Sequence, residues 1–279
     1  MTTRLLTLLA AVAAFLGCGA AWLRPAAPAD PVEPLRYEAR TVGGRLLLAD
    51  DPEGGRIVEV LGDLDGADAV AVIVPGSGQN RDVFRDNPEH PGTAPLANAR
   101  ALWEELRRQR PGAEVAVVAW LGYRAPQDAF PDAVTLVPAR EGARELARLR
   151  RELPADARVS LVCHSYGAVV CGLAAREAGV ADEVVALAAP GLGVGSVADV
   201  RARVWSVRAP DDWIRFVPSL SLGPIGLGAD PMAPDSPARV VASGPISGHE
   251  SYYQPGSESL ANVARVVLGD LSSVTPARS

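Results

Sequence analysis

Short, continuously apolar runs recur along the chain and are separated by longer segments of mixed character. Six of these runs occupy 69–74, 115–119, 159–163, 184–188, 204–207 and 240–242. Runs without polar alternation are typical of strands that are covered on both faces, as in a mostly parallel sheet. Two further runs, 45–49 and 56–60, flank a turn-forming Asp-Pro-Glu-Gly-Gly segment and predict a leading antiparallel hairpin.

Apolar residues at helical spacing fill the segments between several of these strands. One such pattern runs from Leu96 to Leu106 before Pro111-Gly112, and a second covers 139–153. Ser257 predicts the start of a last helix, which Gly269 ends. Alternating strands and helices predict βαβ units, so we expect an α/β fold with a mostly parallel central sheet flanked by helices.

The N-terminal segment differs in composition from the rest of the chain. Arg4 precedes an uncharged, apolar run from Leu5 to Leu23, a pattern that predicts an export signal. Cleavage after the small residues at 17–21, retention as a membrane anchor, and lipidation at Cys18 remain open alternatives, beside a buried N-terminal helix. The following segment to residue 34 is rich in proline and predicts a linker.

These features predict three parts: an export signal or anchor with its linker at 1–34, an α/β domain at 35–271, and a loose tail at 272–279. We expect an exported protein, either secreted or held at the outer face of the cytoplasmic membrane. Hydrophobic residues make up 48% of the 279 residues, which suits one large core. The net charge is −6 and the arginines alternate with acidic residues, so no nucleic-acid partner is expected.

The segment Val159–Val170 holds the main candidate chemistry. A predicted strand leads through Cys163-His164-Ser165-Tyr166-Gly167 into an apolar helix, the arrangement of a nucleophile elbow. A serine hydroxyl is a weak nucleophile and must project from such a turn towards a base. The alternative is a serine buried at an ordinary strand–helix junction. Because Cys163 and Cys171 lie on either side of the turn in different surroundings, we expect no disulfide between them.

Only one of the three histidines lies where the base of this nucleophile is expected. His164 adjoins Ser165 and neighbouring side chains in such a turn point apart, while His90 precedes the elbow. His249 follows the last predicted strand, and in α/β-hydrolases the order along the chain is serine, acid, histidine. We therefore predict His249 as the base; the alternative is a histidine in a surface loop.

The acid is expected after the strand at 204–207. Asp211 and Asp212 both follow this strand, and either carboxylate would orient an imidazole and stabilise its charged form. We favour Asp212, because Ile214 would anchor its loop to the core, with Asp211 as the alternative acid. Asp230 is a more distant candidate.

An oxyanion hole needs two backbone N–H donors. The residue after the nucleophile, Tyr166, normally supplies one. Ser77 is our choice for the other, because it lies in a Gly-Ser-Gly turn directly after a central strand. The same turn suggests phosphate binding only weakly, since it lacks the lysine of a P-loop.

With these residues placed, the chain resembles an α/β-hydrolase family found chiefly in actinobacteria and long labelled a domain of unknown function. The matching stretches are Val74–Gly78, Ala119–Pro126, His164–Gly167, Gly228–Pro231 and Gly248–Leu260. The resemblance implies the α/β-hydrolase fold and a triad of Ser165, Asp212 and His249, but no substrate. Two departures are Cys163, where glycine is usual, and Leu227, where a histidine often precedes Gly-x-Asp-Pro.

The segment between the strands at 184–188 and 204–207 is short, so we expect no large lid. Aromatic residues follow other strands at the catalytic end of the sheet. We predict that they line an apolar acyl pocket, with anchoring of loops to the core as the alternative, and the set is Trp120, Tyr123, Trp213, Phe216, Tyr252 and Tyr253.

The predicted function is that of a serine esterase acting on a small-molecule or lipid-like acyl substrate through an acyl-enzyme. No cofactor is expected, and no metal, since one histidine outside the elbow and the Pro-rich loop cannot build a zinc site. The alternative is a catalytically silent protein of the same fold that binds a cell-envelope ligand or partner. A missing contact between Ser165 and His249 would favour that alternative.

Overall fold

A computed structural model describes residues 33–128, 132–218 and 226–277. The described residues from Pro34 onward belong to one compact unit. The predicted export signal at 5–23 lies outside the described residues. Within them, no helix has the length and apolar character needed to cross a membrane.

The described part contains nine strands: β1 Arg40–Val42, β2 Arg45–Asp51, β3 Arg56–Leu61, β4 Ala69–Val74, β5 Val115–Leu121, β6 Arg158–His164, β7 Glu183–Leu187, β8 Arg203–Val207 and β9 Arg239–Val240. They form a single sheet in the order β1-β2-β3-β5-β4-β6-β7-β8-β9. The pairs β1–β2, β2–β3 and β3–β5 are antiparallel, and the pairs β5–β4, β4–β6, β6–β7, β7–β8 and β8–β9 are parallel.

The apolar runs occupy the centre of this sheet, as their pattern predicted. Every residue of β4, β5 and β7 is buried, because helices cover both faces. The predicted hairpin is formed by β2 and β3, with a bulge between Leu47 and Ala49. The predicted fold class is therefore confirmed.

Four α-helices lie in the described residues: α1 Pro95–Gln109, α2 Val137–Leu149, α3 Gly167–Ala174 and α4 Glu258–Leu268. Both α3 and α4 pack on β4, β6 and β7, and so cover opposite faces of the sheet. Helix α1 packs beside α4, and α2 beside α3. Ser257 caps α4 through the Leu260 amide, and Gly269 ends it in the left-handed conformation.

The connection between β7 and β8, all of which is described, contains only a one-turn 3-10 helix at Val197–Asp199. No lid domain is inserted there, as the short spacing predicted. The carboxyl ends of β7 and β8 are therefore not covered by a lid inserted between these strands. This edge is where open α/β sheets bind ligands.

The prediction of a loose tail at 272–279 is wrong for the described residues to 277. Residues Leu271–Ser273 form a 3-10 turn, and Pro276 forms an antiparallel bridge with Val241. The Ala242 amide donates to Thr275, and the Ala277 amide donates to Val240. These backbone bonds order the chain to residue 277, because the tail extends the sheet beyond β9. The sequence of the tail shows no apolar run and so did not predict this pairing.

Candidate active site

Ser165 lies at a sharp turn between β6 and α3. Its φ of 54° is in the left-handed region, which a residue with a side chain adopts at a cost of about 1–3 kcal/mol. The Ser165 amide donates to Leu187 of β7 at 2.9 Å, and its carbonyl oxygen accepts from Ala168 at 3.0 Å. The neighbouring strand and the first turn of α3 thus hold the residue in this conformation.

Two glycines allow the backbone to close tightly around this turn. A Cβ on Gly167 would lie 2.5 Å from the Val74 carbonyl oxygen, and one on Gly76 would lie 2.8 Å from the Ser165 Cβ. A side chain at either position would therefore push the loop after β4 away from the start of α3. This close approach brings the Pro75–Gly78 turn next to the Ser165 side chain.

His249 contacts Ser165 on one side and Asp212 on the other. The Ser165 hydroxyl lies 2.9 Å from His249 Nε2, and His249 Nδ1 lies 2.8 Å from Asp212 Oδ1. Ser165 follows β6, Asp212 follows β8, and His249 follows β9, so the sheet edge brings three distant segments together. Ser165 and His249 are thus in direct contact, whereas a silent binding protein was expected to lack this contact.

Asp212 is fully buried, and each of its oxygens has donors. Oδ1 accepts from the His249 ring and from the Ile214 amide at 2.9 Å, and Oδ2 accepts from the Tyr252 hydroxyl at 2.6 Å. Burial alone would raise the pKa of this carboxyl. The hydrogen bonds from His249, Tyr252 and Ile214, with the charge of His249, outweigh burial and hold the pKa below its usual value.

Asp211, the alternative acid, does not contact the His249 ring. It is exposed and accepts hydrogen bonds from the Ser247 hydroxyl and from the Gly248 amide at 2.9 Å. These bonds lower the pKa of its carboxyl and fix the backbone just before His249. Asp230 forms a bidentate ion pair with Arg208, at 2.7 and 3.2 Å. Of the three carboxylates, only Asp212 reaches the imidazole.

The other two histidines have different surroundings. His164 is buried, and its Nε2–H donates to the main-chain oxygen of His249 at 2.6 Å. Burial and the neighbouring His249 lower the pKa of His164 to about 3, so its ring is neutral near pH 7. His90 is exposed and contacts Glu250 through Nδ1 at 2.9 Å. Neither ring contacts Ser165.

Of the two predicted oxyanion donors, one follows Ser165 in the elbow and the other lies in the loop after β4. Tyr166 directly precedes α3, and Ser77 follows Gly76, which packs on Ser165. The Tyr166 phenol points into the core, where it donates to Thr135 at 2.6 Å and accepts from the Ala139 amide at 3.2 Å. Its side chain therefore anchors the start of α2.

Four of the aromatic residues predicted to line a pocket are instead buried in the core. Trp120 stacks on Tyr123 with ring centroids 5.7 Å apart, and the Tyr123 hydroxyl donates to Pro75 at 2.8 Å. Tyr252 supports Asp212 as described, and Tyr253 is buried as well. The pocket prediction is wrong for these four, because loop aromatics anchor loops as readily as they line cavities.

Trp213 and Phe216 differ from these four in being exposed. The Trp213 ring is 49% exposed, and its centroid lies 4.7 Å from that of His249; Phe216 is 60% exposed. Both belong to the 3-10 turn that Asp212 caps. Trp213 thus provides exposed apolar surface beside the imidazole, and Phe216 adds exposed apolar surface in the same turn.

Two open grooves lie away from Ser165. One, of about 470 Å³, lies at the amino ends of the strands near Asp68 and Arg158. The other, of about 580 Å³, lies between α2 and α3 near Arg144 and Leu173. Neither is lined by a residue of the Ser165 site. Among the described residues, no cluster of three or more His, Cys, Asp or Glu side chains is arranged to hold a metal ion.

A disulfide joins Cys163 to Cys171, contrary to the sequence-based expectation. Helix α3 folds back along β6. Cys163, two residues before Ser165, therefore lies next to Cys171, just after the first turn of α3. The different surroundings inferred for the two thiols were wrong. A separation of 8 residues across a strand–helix turn is compatible with the bond but does not specify it.

The sheet order, the elbow and the site at the carboxyl edge define a protein with the α/β-hydrolase fold. A family model described as Alpha/beta hydrolase matches residues 50–222. The chain belongs to this family, and membership supports a hydrolase in general terms. This agrees with the resemblance seen in the sequence.

Curated relatives come from mycobacteria. Uncharacterized protein Rv2079 of Mycobacterium tuberculosis (strain ATCC 25618 / H37Rv) is 28% identical over 276 residues, which cover 86% of this chain and 40% of the relative. Uncharacterized protein Mb0988c of Mycobacterium bovis is 32% identical over 158 residues, which cover 53% of this chain and 58% of the relative. The matches thus span about half of the relatives' lengths.

Solved structures that this chain matches include an esterase domain and a serine hydrolase homologue. An esterase domain of a Rhodothermus marinus protein is 15% identical with a TM-score of 0.43, covering 78% of this chain and 92% of its own. An alpha-beta serine hydrolase homologue from Coxiella burnetii is 12% identical with a TM-score of 0.41, covering 83% and 99%.

Proposed function

We propose that the protein is a serine hydrolase that cleaves carboxylic esters through an acyl-enzyme, with Ser165 as nucleophile, His249 as base and Asp212 as the orienting acid. The proposal depends mainly on the continuous chain of hydrogen bonds from the Ser165 hydroxyl through the His249 ring to Asp212. A positioned base of this kind contributes about 10²- to 10⁴-fold to the rate of proton transfer chemistry.

In the first half-reaction, the Ser165 oxygen attacks the ester carbonyl carbon while its proton moves to His249 Nε2. Asp212 accepts the Nδ1 proton in a hydrogen bond and stabilises the imidazolium that forms. The tetrahedral intermediate collapses when the bond to the alkoxy oxygen breaks, and His249 protonates the departing alcohol. The acyl group is then bonded to Ser165.

In the second half-reaction, water attacks the acyl carbon and gives a proton to His249. The bond to Ser165 breaks, the serine oxygen recovers the proton from His249, and the carboxylic acid leaves. In this proposal the backbone amides of Ser77 and Tyr166 hold the oxyanion in both steps. Their loops meet at Ser165, where Gly76 packs on its Cβ. One donor of this type contributes about 10²- to 10³-fold to kcat.

The proposed substrate is a small-molecule or lipid-like ester with an apolar acyl group. The support for this class is Trp213, which is exposed beside His249, together with the exposed Phe216 of the same 3-10 turn; both would contact the acyl chain. Contiguous exposed apolar surface is typical of ligand-binding and interaction sites.

Labelling with a fluorophosphonate probe tests the assignment of the nucleophile. We expect wild-type protein to be labelled and Ser165→Ala to be unlabelled. Ser272→Ala, at an exposed position in the C-terminal turn, is the matched control and should be labelled like wild type. Labelling of Ser165→Ala at the wild-type rate would refute the assignment.

We also propose that the protein acts outside the cytoplasm. The apolar run at 5–23 supports export, and so does the Cys163–Cys171 disulfide, because disulfides persist in oxidising compartments. Fractionation of cells that express the full chain tests this proposal. Recovery of the protein only in the cytosol, with both thiols reduced, would contradict it.

A further inference from the structure

The Cys163–Cys171 disulfide encloses the residue proposed as nucleophile. Cys163 is the next-to-last residue of β6, and Cys171 lies just after the first turn of α3, a sequence separation of 8. Ser165 lies between them at the turn. Both cysteines are fully buried. The covalent bond therefore closes a short loop whose path includes the whole elbow.

The two residues before Ser165 are fixed on opposite faces of the sheet. Successive strand residues point to opposite faces, and Cys163 bonds to α3 on one face. His164 points to the other face and donates to the His249 main chain. Cys163 also lies between Val74 of β4 and Ala186 of β7 in the sheet. The elbow is thus held on both faces of the sheet, by the disulfide on one face and by the His164 hydrogen bond on the other.

We propose that this disulfide is a positioning element for Ser165, and that full hydrolytic activity requires the oxidised pair. The inference rests on the proposed function of Ser165. The left-handed backbone at Ser165 is an unfavourable conformation that its surroundings must impose. A bond from the end of β6 to the start of α3 limits how far the two elements can separate and so opposes relaxation of the turn.

Reduction would loosen this anchorage. A dithiol or phosphine reductant delivers two electrons, two protons are taken up, the sulfur–sulfur bond breaks, and two buried thiols form. Two thiols need more room than a bonded pair, because atoms that are not bonded keep van der Waals separations. In a closely packed interior, β6 and α3 must shift to provide that room. Ser165 lies between the two elements and would move with them.

The expected consequence is a loss in kcat rather than in substrate binding. A misplacement of about 1 Å in reacting groups can cost roughly 10²-fold in rate. Trp213 and Phe216, proposed to contact the substrate, lie on the loop after β8 and not on the cross-linked segment. We therefore expect Cys163→Ala/Cys171→Ala to lose about ten- to a hundred-fold in kcat, with KM changed less than about three-fold.

The experiment compares the oxidised wild type, the wild type after phosphine reduction, and the double variant, each assayed with an acyl nitrophenyl ester. Alkylation and mass measurement report the thiol state. Val204→Ala, at the amino end of β8 and remote from Ser165, controls for general loss of stability. Hydrogen exchange gives a second readout at three elbow amides: that of Ser165, which donates to Leu187 of β7, and those of Ala168 and Val169, which donate within the elbow.

The expected result is a matching loss of kcat in the reduced wild type and the double variant, faster exchange at these amides, and near-normal kcat in Val204→Ala. Reductant should not affect the double variant. Wild-type kcat and exchange in the double variant would overturn the proposal. If the oxidised wild type itself fails to react with the fluorophosphonate probe, the proposed function fails instead. The exchange comparison then tests the anchorage alone, and equal exchange rates would overturn it.

Discussion

The ring of His164 donates a hydrogen bond from Nε2 to the main-chain oxygen of His249, across 2.6 Å. The next residue, Ser165, contacts the side chain of the same histidine. Two consecutive residues of the elbow thus hold the backbone and the ring of His249. Because a carbonyl oxygen only accepts, the His164 proton must be on Nε2, and the tautomer of this buried ring is fixed.

The His164 environment predicts an acid sensitivity of the fold. Its pKa is about 3 when folded, against about 6.5 for an unfolded histidine. Between these values the unfolded chain binds a proton that the folded protein does not, so stability falls as the pH drops below about 6.5. The loss from one such group approaches about 1.4 kcal/mol per pH unit.

Urea unfolding between pH 7 and pH 5 measures this effect. We expect His164→Asn to show a shallower loss of unfolding free energy with falling pH than the wild type. His90→Asn, at an exposed position, is the control and should follow the wild-type slope. Equal slopes for wild type and His164→Asn would show that this ring is not the source of acid sensitivity.

The two neighbouring aspartates should differ sharply in their effect on catalysis. Asp212→Asn removes the charge that stabilises the imidazolium and should lower kcat about 10³- to 10⁴-fold. Asp211→Asn weakens only the bonds to Ser247 and Gly248 and should cost less than about ten-fold, since exposed hydrogen bonds contribute little. Steady-state kinetics with one ester compares them. Similar losses in both variants would contradict the assignment of Asp212.

Tyr252 and its neighbour Tyr253 form a matched pair for testing whether a tyrosine hydroxyl stabilises the buried Asp212. Tyr252→Phe removes the donor to Asp212 Oδ2 and the acceptor of the Ala209 amide, leaving buried groups unpaired at about 1–3 kcal/mol each. The Tyr253 hydroxyl is buried without a hydrogen-bond partner among the described residues. Thermal unfolding should therefore show a clear loss for Tyr252→Phe and little change for Tyr253→Phe. The reverse order would contradict the bonding described.

Trp213 should affect substrate preference without affecting stability. Its ring is half-exposed beside His249, so Trp213→Ala should reduce the preference for longer acyl chains while Tm changes little. Trp120→Ala is the contrast, because loss of a buried tryptophan costs about 3–5 kcal/mol. Kinetics across a series of acyl nitrophenyl esters tests the prediction. An unchanged chain-length profile in Trp213→Ala would exclude contact with the acyl group.

The fold was predictable because its signals are local. Continuously apolar runs such as 69–74 can be satisfied only by burial on both faces. Ser257 and Gly269 mark the ends of α4 through local capping, by a side-chain oxygen at the first and a left-handed backbone at the second. The order of serine, acid and histidine along the chain indicated which segments the sheet edge would bring together, and the choice of Asp212 over Asp211 depended on Ile214. Their catalytic roles remain predictions.

What the sequence did not predict depends on tertiary packing. The sequence does not distinguish an aromatic residue that lines a cavity from one that hydrogen-bonds to a catalytic acid. Tyr252 was expected to line a pocket, but its hydroxyl donates to Asp212. The pairing of Cys163 with Cys171 depends on how α3 folds back on β6, which neither the spacing nor the composition of the segment specifies. The prediction for the tail was wrong for the same reason, because the tail pairs beside β9, a strand of only two residues.

The bridge between Val241 and Pro276 bears on the solubility of the molecule. An open sheet ends in a row of unpaired backbone groups that can recruit a strand from another chain. Here the final residues cover the margin beside β9, and proline has no amide hydrogen to offer an incoming strand. A protein shortened to Leu271 would expose that margin, so the chain must extend through Ala277 to avoid aggregation through this edge.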